Sequence, residues 1–350
     1  MNWKTLIKAA VFLPVSFACS PEQDPEPMPV PGAGGREIVL EASGESTGAK
    51  VTLDLPALLW EDTDRIAVFD GFSKYGFSIP EGGNHGSSAT FRGEVSSSGG
   101  ELYAVYPEEA GLGLESGRLT VRVPAAQTVP EGRTADPKAL VAVGKADGTS
   151  LRFKNVPALL KVSISSSDIS SVIICGSSIA GTAVVSPDGT TGSVSEGEDR
   201  IELIPEGGVF APGSYYAALL PGTTPSNGFS ITLVRSDGLS ATRTASREVV
   251  FRRNKGLDAG SIESVAKWER VILTKQQLFD WNERRDPADA SDEVKLGADI
   301  DMEGEPWTPK NFAGTFDGCG HRISGLKVSG SSYVGFLREI TGSAVVKTSS

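Results

Sequence analysis

A two-residue hydrophobic alternation recurs over residues 36–265 and limits the fold more than any other feature. Leu119-Thr120-Val121-Arg122-Val123, Lys161-Val162-Ser163-Ile164-Ser165 and Phe229-Ser230-Ile231-Thr232-Leu233 each put apolar side chains on one side of an extended chain and polar ones on the other. A helix would scatter the same residues around its axis, so these segments read as strands with one buried and one wet face. Ile66-Ala67-Val68-Phe69 and Tyr215 through Leu220 are apolar at every position, which suits strands buried on both faces. Asp-Gly pairs begin at Asp70, Asp147, Asp188 and Asp237 and favour tight hairpin turns. No long stretch of this region has the helical period. Over 36–150 and 151–265, divided near Gly148-Thr149-Ser150, the pattern predicts an all-β fold of two antiparallel β-sandwiches.

The N-terminus carries a targeting pattern. Lys4 and Lys8 precede a mainly apolar stretch from Ala9 to Ala18 that is too short to span a bilayer, so residues 1–18 read as a signal peptide. Ser16-Phe17-Ala18-Cys19 follows and resembles a bacterial lipobox, in which the cysteine is acylated and becomes the new N-terminus. Ala18 is the small residue before the cut, while Ser16 and Phe17 depart from the usual choices. The resemblance implies a lipid on Cys19 that anchors the chain to the outer membrane; ordinary cleavage with Cys19 incidental is the other reading. Residues 19–35 alternate proline and acid and read as a stalk. Glu22, Asp24 and Glu26 resemble surface-export signals of some Gram-negative anaerobes, and equally suit a plain soluble linker.

The formal charge is −11, and removing residues 1–18, with two lysines and no acids, makes it −13. A surface of that sign repels nucleic acid. Cys175 lies in an apolar strand and Cys319 between two glycines, so with Cys19 set aside no disulfide framework is expected.

Several segments taken in order resemble the fimbrillin-like proteins. Leu59-Trp60 with Asp64 through Phe69 looks like their opening. Ala89-Thr90-Phe91-Arg92-Gly93 and Leu102 through Pro107 resemble their next strands, and Val123-Pro124-Ala125-Ala126-Gln127 follows the same pattern. Phe153 through Lys161 looks like the start of the second domain, and Gly213-Ser214-Tyr215-Tyr216-Ala217 through Pro221-Gly222 lies within it. The resemblance implies two transthyretin-like sandwiches in a surface lipoprotein acting in adhesion or pilus assembly, as a subunit, tip or accessory adhesin. In that family, proteolysis after a basic residue near the first strand frees a groove, which another subunit's strand fills. Arg36 before Glu37-Ile38-Val39-Leu40 and Lys50 before the next strand are the candidate processing positions, and each also reads as a solvated charge flanking a strand.

Residues 266–350 differ. Thr274-Lys275-Gln276-Gln277 has capping-box spacing with Leu273 and Leu278 placed as a staple, which predicts a short helix to about Arg285, stopped by Asp286-Pro287. Val294 through Met302, Trp307, Phe312 through Leu326 and Tyr333 through Leu337 resemble the opening of a GLUG-type β-helix. Cys319 stands where that pattern has Asn or Asp, and a looser turn is expected there. The motif covers barely one repeat, so the β-helix is expected to be incomplete.

No catalytic or cofactor-binding constellation emerges. His85 lies in a Gly-rich loop and His321 in the GLUG-like turn. Asp299-x-Asp301-x-Glu303-Gly304 starts like a calcium loop, but Lys310 occupies the position that requires a bidentate carboxylate. The chain therefore reads as a non-enzyme that needs no cofactor or metal. Its expected partners are other fimbrial subunits, by strand exchange, or a host or bacterial surface receptor. Two rivals are a glycan-binding outer-membrane lipoprotein, which would need an aromatic platform, and a truncated β-helix polysaccharide-acting enzyme.

Overall fold

The computed structural model describes residues 35–45, 59–96, 100–264, 267–330, 332 and 334–347. The signal peptide, Cys19, residues 20–34 of the stalk, and Lys50 lie outside the described residues.

The first eleven strands are β1 (Arg36–Ser43), β2 (Arg65–Phe69), β3 (Lys74–Ser78), β4 (Ser88–Val95), β5 (Tyr103–Tyr106), β6 (Gly111–Glu115), β7 (Arg118–Val123), β8 (Ala126–Val129), β9 (Ala142–Asp147), β10 (Ser150–Arg152) and β11 (Lys154–Asn155). Seven of them pair in the order β1-β4-β3-β2-β5-β9-β10, and β10 returns to β1, closing a ring. The β1–β10 seam is parallel and the other six are antiparallel. Trp60 fills the interior, edge-on to Phe91 and Tyr106 at 5.1 and 5.0 Å, with Leu40, Ile66, Phe77 and Leu151 around it.

The all-apolar run of β2 follows directly. Ile66 and Val68 belong to the ring's interior core, while Ala67 and Phe69 join a second core with residues of β7 and of the long strand described next. Seven strands between Arg36 and Arg152 thus form a closed ring where a two-sheet sandwich was expected. The expected boundary near Gly148-Thr149-Ser150 falls in the β9–β10 hairpin of that ring, and β7 and β8 pair outside it. Alternation fixes which face of a strand is buried, but not which distant strand it joins.

The next nine strands are β12 (Ala158–Ile164), β13 (Ile169–Val185), β14 (Thr191–Pro205), β15 (Gly213–Leu219), β16 (Gly222–Thr224), β17 (Ser230–Arg235), β18 (Ser240–Thr244), β19 (Val249–Phe251) and β20 (Gly256–Ser261). One sheet runs β18-β17-β13-β14-β8, with β7 on the far half of β13; the other runs β15-β12-β20. Leu160, Val162, Ile174, Leu203, Ala217 and Leu233 from the two sheets share one core. The four Asp-Gly pairs of residues 36–265 all sit at hairpins, at β2–β3, β9–β10, β13–β14 and β17–β18. Their glycines have φ of 91, 59, 84 and 86°, a region open to glycine at no steric cost.

The outer edge of β15 is closed without a strand. Tyr216 donates its backbone N–H to Thr134 O at 2.7 Å. The fully buried Gln127 side chain accepts from Ala218 N at 2.9 Å and donates Nε2 to Ala218 O at 2.7 Å and to Pro124 O at 3.0 Å. A side-chain amide thus pairs with Ala218 as a neighbouring strand would.

The remaining elements are β21 (Arg270–Ile272), α1 (Lys275–Arg284), β22 (Glu293–Leu296), β23 (Ile300–Asp301), β24 (Thr315–Asp317), β25 (Ile323–Ser324) and β26 (Val345–Lys347). The cap forms as predicted, with Thr274 Oγ1 accepting from Gln277 N at 3.1 Å and Leu278 fully buried. Arg285 turns extended before Asp286-Pro287 and ends the helix. β21, β22, β24 and β26 stack in parallel and align Arg270, Val294, Phe316 and Val346, and β23 pairs parallel with β25. The ladder has four parallel rungs: β22 and β24 carry residues of the GLUG-like motif, β21 precedes it and β26 follows it. Leu278 and Trp281 of α1 cover its core, where Trp307 stacks on Phe336 at 5.2 Å.

Candidate functional site

β1 combines the features that bear most on function. Its alternation, Ile38, Leu40 and Ala42, points into the ring; Leu40 and Ala42 are each 1% exposed, and Leu40 stands opposite Phe91 and Ala42 opposite Ala89 of β4. Eight residues pair with β4, from Arg36↔Val95 to Ser43↔Ser88. The seam with β10 has three pairs, flanked by Glu41 N donating to Thr149 O at 2.8 Å and Phe153 N donating to Ser43 O at 2.9 Å. On the wet face Glu37 pairs with Arg92 at 3.1 Å, and Glu41 accepts from Thr90 Oγ1. One long seam and one short parallel seam therefore hold the strand that closes the ring.

Arg36 is the first residue of β1 and is exposed. A cut after Arg36 would leave all the inward residues of β1 in place. A cut within 46–58 would separate the whole strand, with its buried Leu40 and Ala42, from the rest of the ring.

Just past β1, Glu45 reaches the other half of the molecule. Its carboxylate accepts from Arg253 Nη1 at 2.6 Å and Nη2 at 3.2 Å, from Lys154 Nζ at 3.4 Å and from Asn155 N at 3.3 Å. Burial raises the Glu45 carboxyl, but the hydrogen bond and charge of Arg253, with Lys154 behind them, outweigh it and leave it below its ordinary value. Sequence reasoning missed this cluster, since Glu45 and Arg253 are 208 residues apart. The only signal was the cationic run Arg252-Arg253-Asn254-Lys255 after an apolar strand end.

The remaining candidates take structural places. His85 N donates to Ser88 O in the tight turn before β4. His321 lies 3.2 Å from Asp299, whose Oδ1 also accepts from Arg322 N, so Asp299 holds a turn. Cys319 has φ 47°, and the bond that fixes this turn is its N–H to Asp317 Oδ1 at 2.9 Å. Among the described residues no group of three or more His, Cys, Asp or Glu is placed to hold a metal. Trp60, Trp281 and Trp307 are each under 5% exposed, and the Arg235 guanidinium lies 3.8 Å from the centre of the half-buried Trp268 ring.

No known protein family and no curated protein matches the chain in sequence. Solved structures that it resembles in chain path include a candidate cell adhesion protein from Bacteroides ovatus, at 13% identity and TM-score 0.43, covering 68% of this chain and 96% of that one. A candidate cell adhesion protein from Bacteroides uniformis follows at 14% and 0.37, covering 67% and 97%. The tip fimbrial protein Mfa3 from Porphyromonas gingivalis, C-terminally truncated, follows at 10% and 0.30, covering 60% and 81%. The first two are described as candidate adhesion proteins and the third as a fimbrial tip protein.

Proposed function

We propose that this chain is a cell-surface lipoprotein of the fimbrillin-like kind, held in the outer membrane by a lipid on Cys19. Its role is adhesion or pilus assembly, as a subunit or accessory adhesin, and β1 is its exchangeable strand. The observation that carries the reading is the seat of β1. It is the most N-terminal described strand, it closes the ring through a three-residue parallel seam, and it lies just ahead of the segment that holds Lys50. Removing it would open a slot between β4 and β10 lined by the buried partners of Leu40 and Ala42, and would bare two rows of backbone donors and acceptors. A strand from another subunit is the natural occupant of such a slot. The geometry favours Lys50 over Arg36 as the processing position, because only a cut after β1 frees the slot.

The test is intact mass and limited surface proteolysis of the native protein on whole cells. The reading expects an acylated Cys19, a cut within 46–58 and a ladder of oligomers that appears only after the cut. An acylated protein that stays monomeric after cleavage there would end the strand-exchange reading and leave a stand-alone adhesin.

A further inference from the structure

The groups that hold the Glu45 carboxylate all lie outside β1. Arg253 follows β19, and Lys154 and Asn155 form β11, which pairs with β9. Arg253 is itself braced, its Nη1 also donating to Asn155 O at 2.8 Å, and Asn155 Nδ2 donates to Asn254 Oδ1 at 2.9 Å. Loss of β1 therefore removes the carboxylate and leaves its donors in position. They line a cleft of about 610 Å³ together with Arg152 and Lys255, a concentration of cations in a chain of net charge −11. Glu45 is 17% exposed in its side chain, so the carboxylate is held largely away from water, where a charge-assisted fork binds more strongly than on an open surface.

Resting on the strand-exchange reading, we infer that this cleft is a carboxylate anchor that sets the identity and register of the strand filling the β4/β10 slot. The register of β1 then defines the partner. It is an extended segment with a large aliphatic residue where Leu40 faces Phe91, a small one where Ala42 faces Ala89, and an acid three positions further on, where Glu45 meets Arg253. The aliphatic pair supplies affinity through burial. The acid fixes register, because a slip of one residue would turn Leu40 to solvent and carry the carboxylate away from the fork.

The experiment uses the full chain with a specific protease site placed within residues 46–58. After cleavage, a brief pulse of urea below the unfolding midpoint is applied with an excess of labelled, C-terminally amidated peptide of sequence 35–45. Incorporation is read by fluorescence polarisation. The expected result is uptake of the native peptide, uptake about tenfold weaker for the Glu45→Gln peptide, and none for Leu40→Asp. The tenfold difference should shrink in 0.5 M salt and vanish in an Arg253→Gln chain; if that chain fails to fold, Lys154→Gln is expected to reduce the difference. Equal uptake of the native and Glu45→Gln peptides overturns the anchor while leaving strand exchange intact. Uptake of no peptide at all overturns both.

Discussion

Gln127 gives the sharpest test of how this fold protects its edges. It is fully buried and makes three hydrogen bonds with main-chain groups, two of them to Ala218 on the edge strand β15. In Gln127→Ala the two groups of the buried Ala218 lose their bond without gaining water, and Pro124 O, at a half-buried position, loses its own; each buried group left unpaired costs about 1–3 kcal/mol. Partial relaxation of the segment puts the sum at about 3 kcal/mol, with the cavity adding to it. With a urea slope of about 3 kcal/mol/M the unfolding midpoint falls by about 1 M. Gln127→Leu restores the volume but not the bonds, so it is expected to recover only the cavity part. Amide exchange gives the local reading, with the Ala218 N–H losing protection in both variants while amides in the β1–β4 seam keep theirs. A Gln127→Leu chain as stable as the native protein would refute the argument, since packing alone would then account for the residue.

Three further outcomes follow from buried groups in the ring. Asp70 is 5% exposed and accepts from Phe72 N, Ser73 N, Tyr75 Oη and Ser96 Oγ; burial raises its carboxyl, but these donors outweigh it and bring it from 3.8 down to about 2. Because its folded value is depressed, its stabilisation is present above pH ~4 and is lost as pH falls through about 2. Asp70→Asn should cost about 2 kcal/mol at pH 7, by urea melts, with the gap closing toward pH 2. Asp64 behaves oppositely, since burial pushes it up to about 6 against the hydrogen bond from Tyr106. Its contribution is present below pH ~4 and lost as pH rises through about 6, so acidification from pH 8 to 5 should raise the thermal midpoint of the native chain more than that of Asp64→Asn; equal shifts would refute this. Gly93 lies where a Cβ would come within 2.3 Å of the fully buried Phe77 ring, so Gly93→Ala should destabilise by about 1–3 kcal/mol, although alanine ordinarily suits a strand better; an unchanged urea midpoint would show that Phe77 can yield.

The parts of the fold that were legible in sequence are those decided by near neighbours. Each hairpin Asp-Gly pair needs only its own left-handed glycine to turn the chain, and Thr274 needs only Gln277 to cap a helix. The all-apolar run of β2 correctly implied burial on both faces, although the second face meets β7 and β13 rather than the partner sheet of a sandwich. The motif Val-Pro-Ala-Ala-Gln was visible, yet its reason, an amide standing in for a strand at Ala218, depends on a residue far along the chain. Cys319 was expected to loosen its turn, but Asp317 two residues earlier supplies the local hydrogen bond that an Asn in its place would offer.

The seat of β1 shows why the rest was hidden. Ile38, Leu40 and Ala42 announce a half-buried strand, and the same eight residues would read identically on an ordinary sheet edge. What makes β1 a closing strand is Ser150–Arg152, three residues with one buried side chain, Leu151, and too short to give a periodic signal. What ties its exit to the other half of the molecule is one pairing among 33 basic and 44 acidic side chains, which no local pattern singles out. Under the strand-exchange reading, a strand that leaves on cleavage cannot be held by a long apolar seam on both sides. A weak, short seam and a polar clasp are what such a strand requires, and both are features that hydrophobic periodicity leaves unmarked.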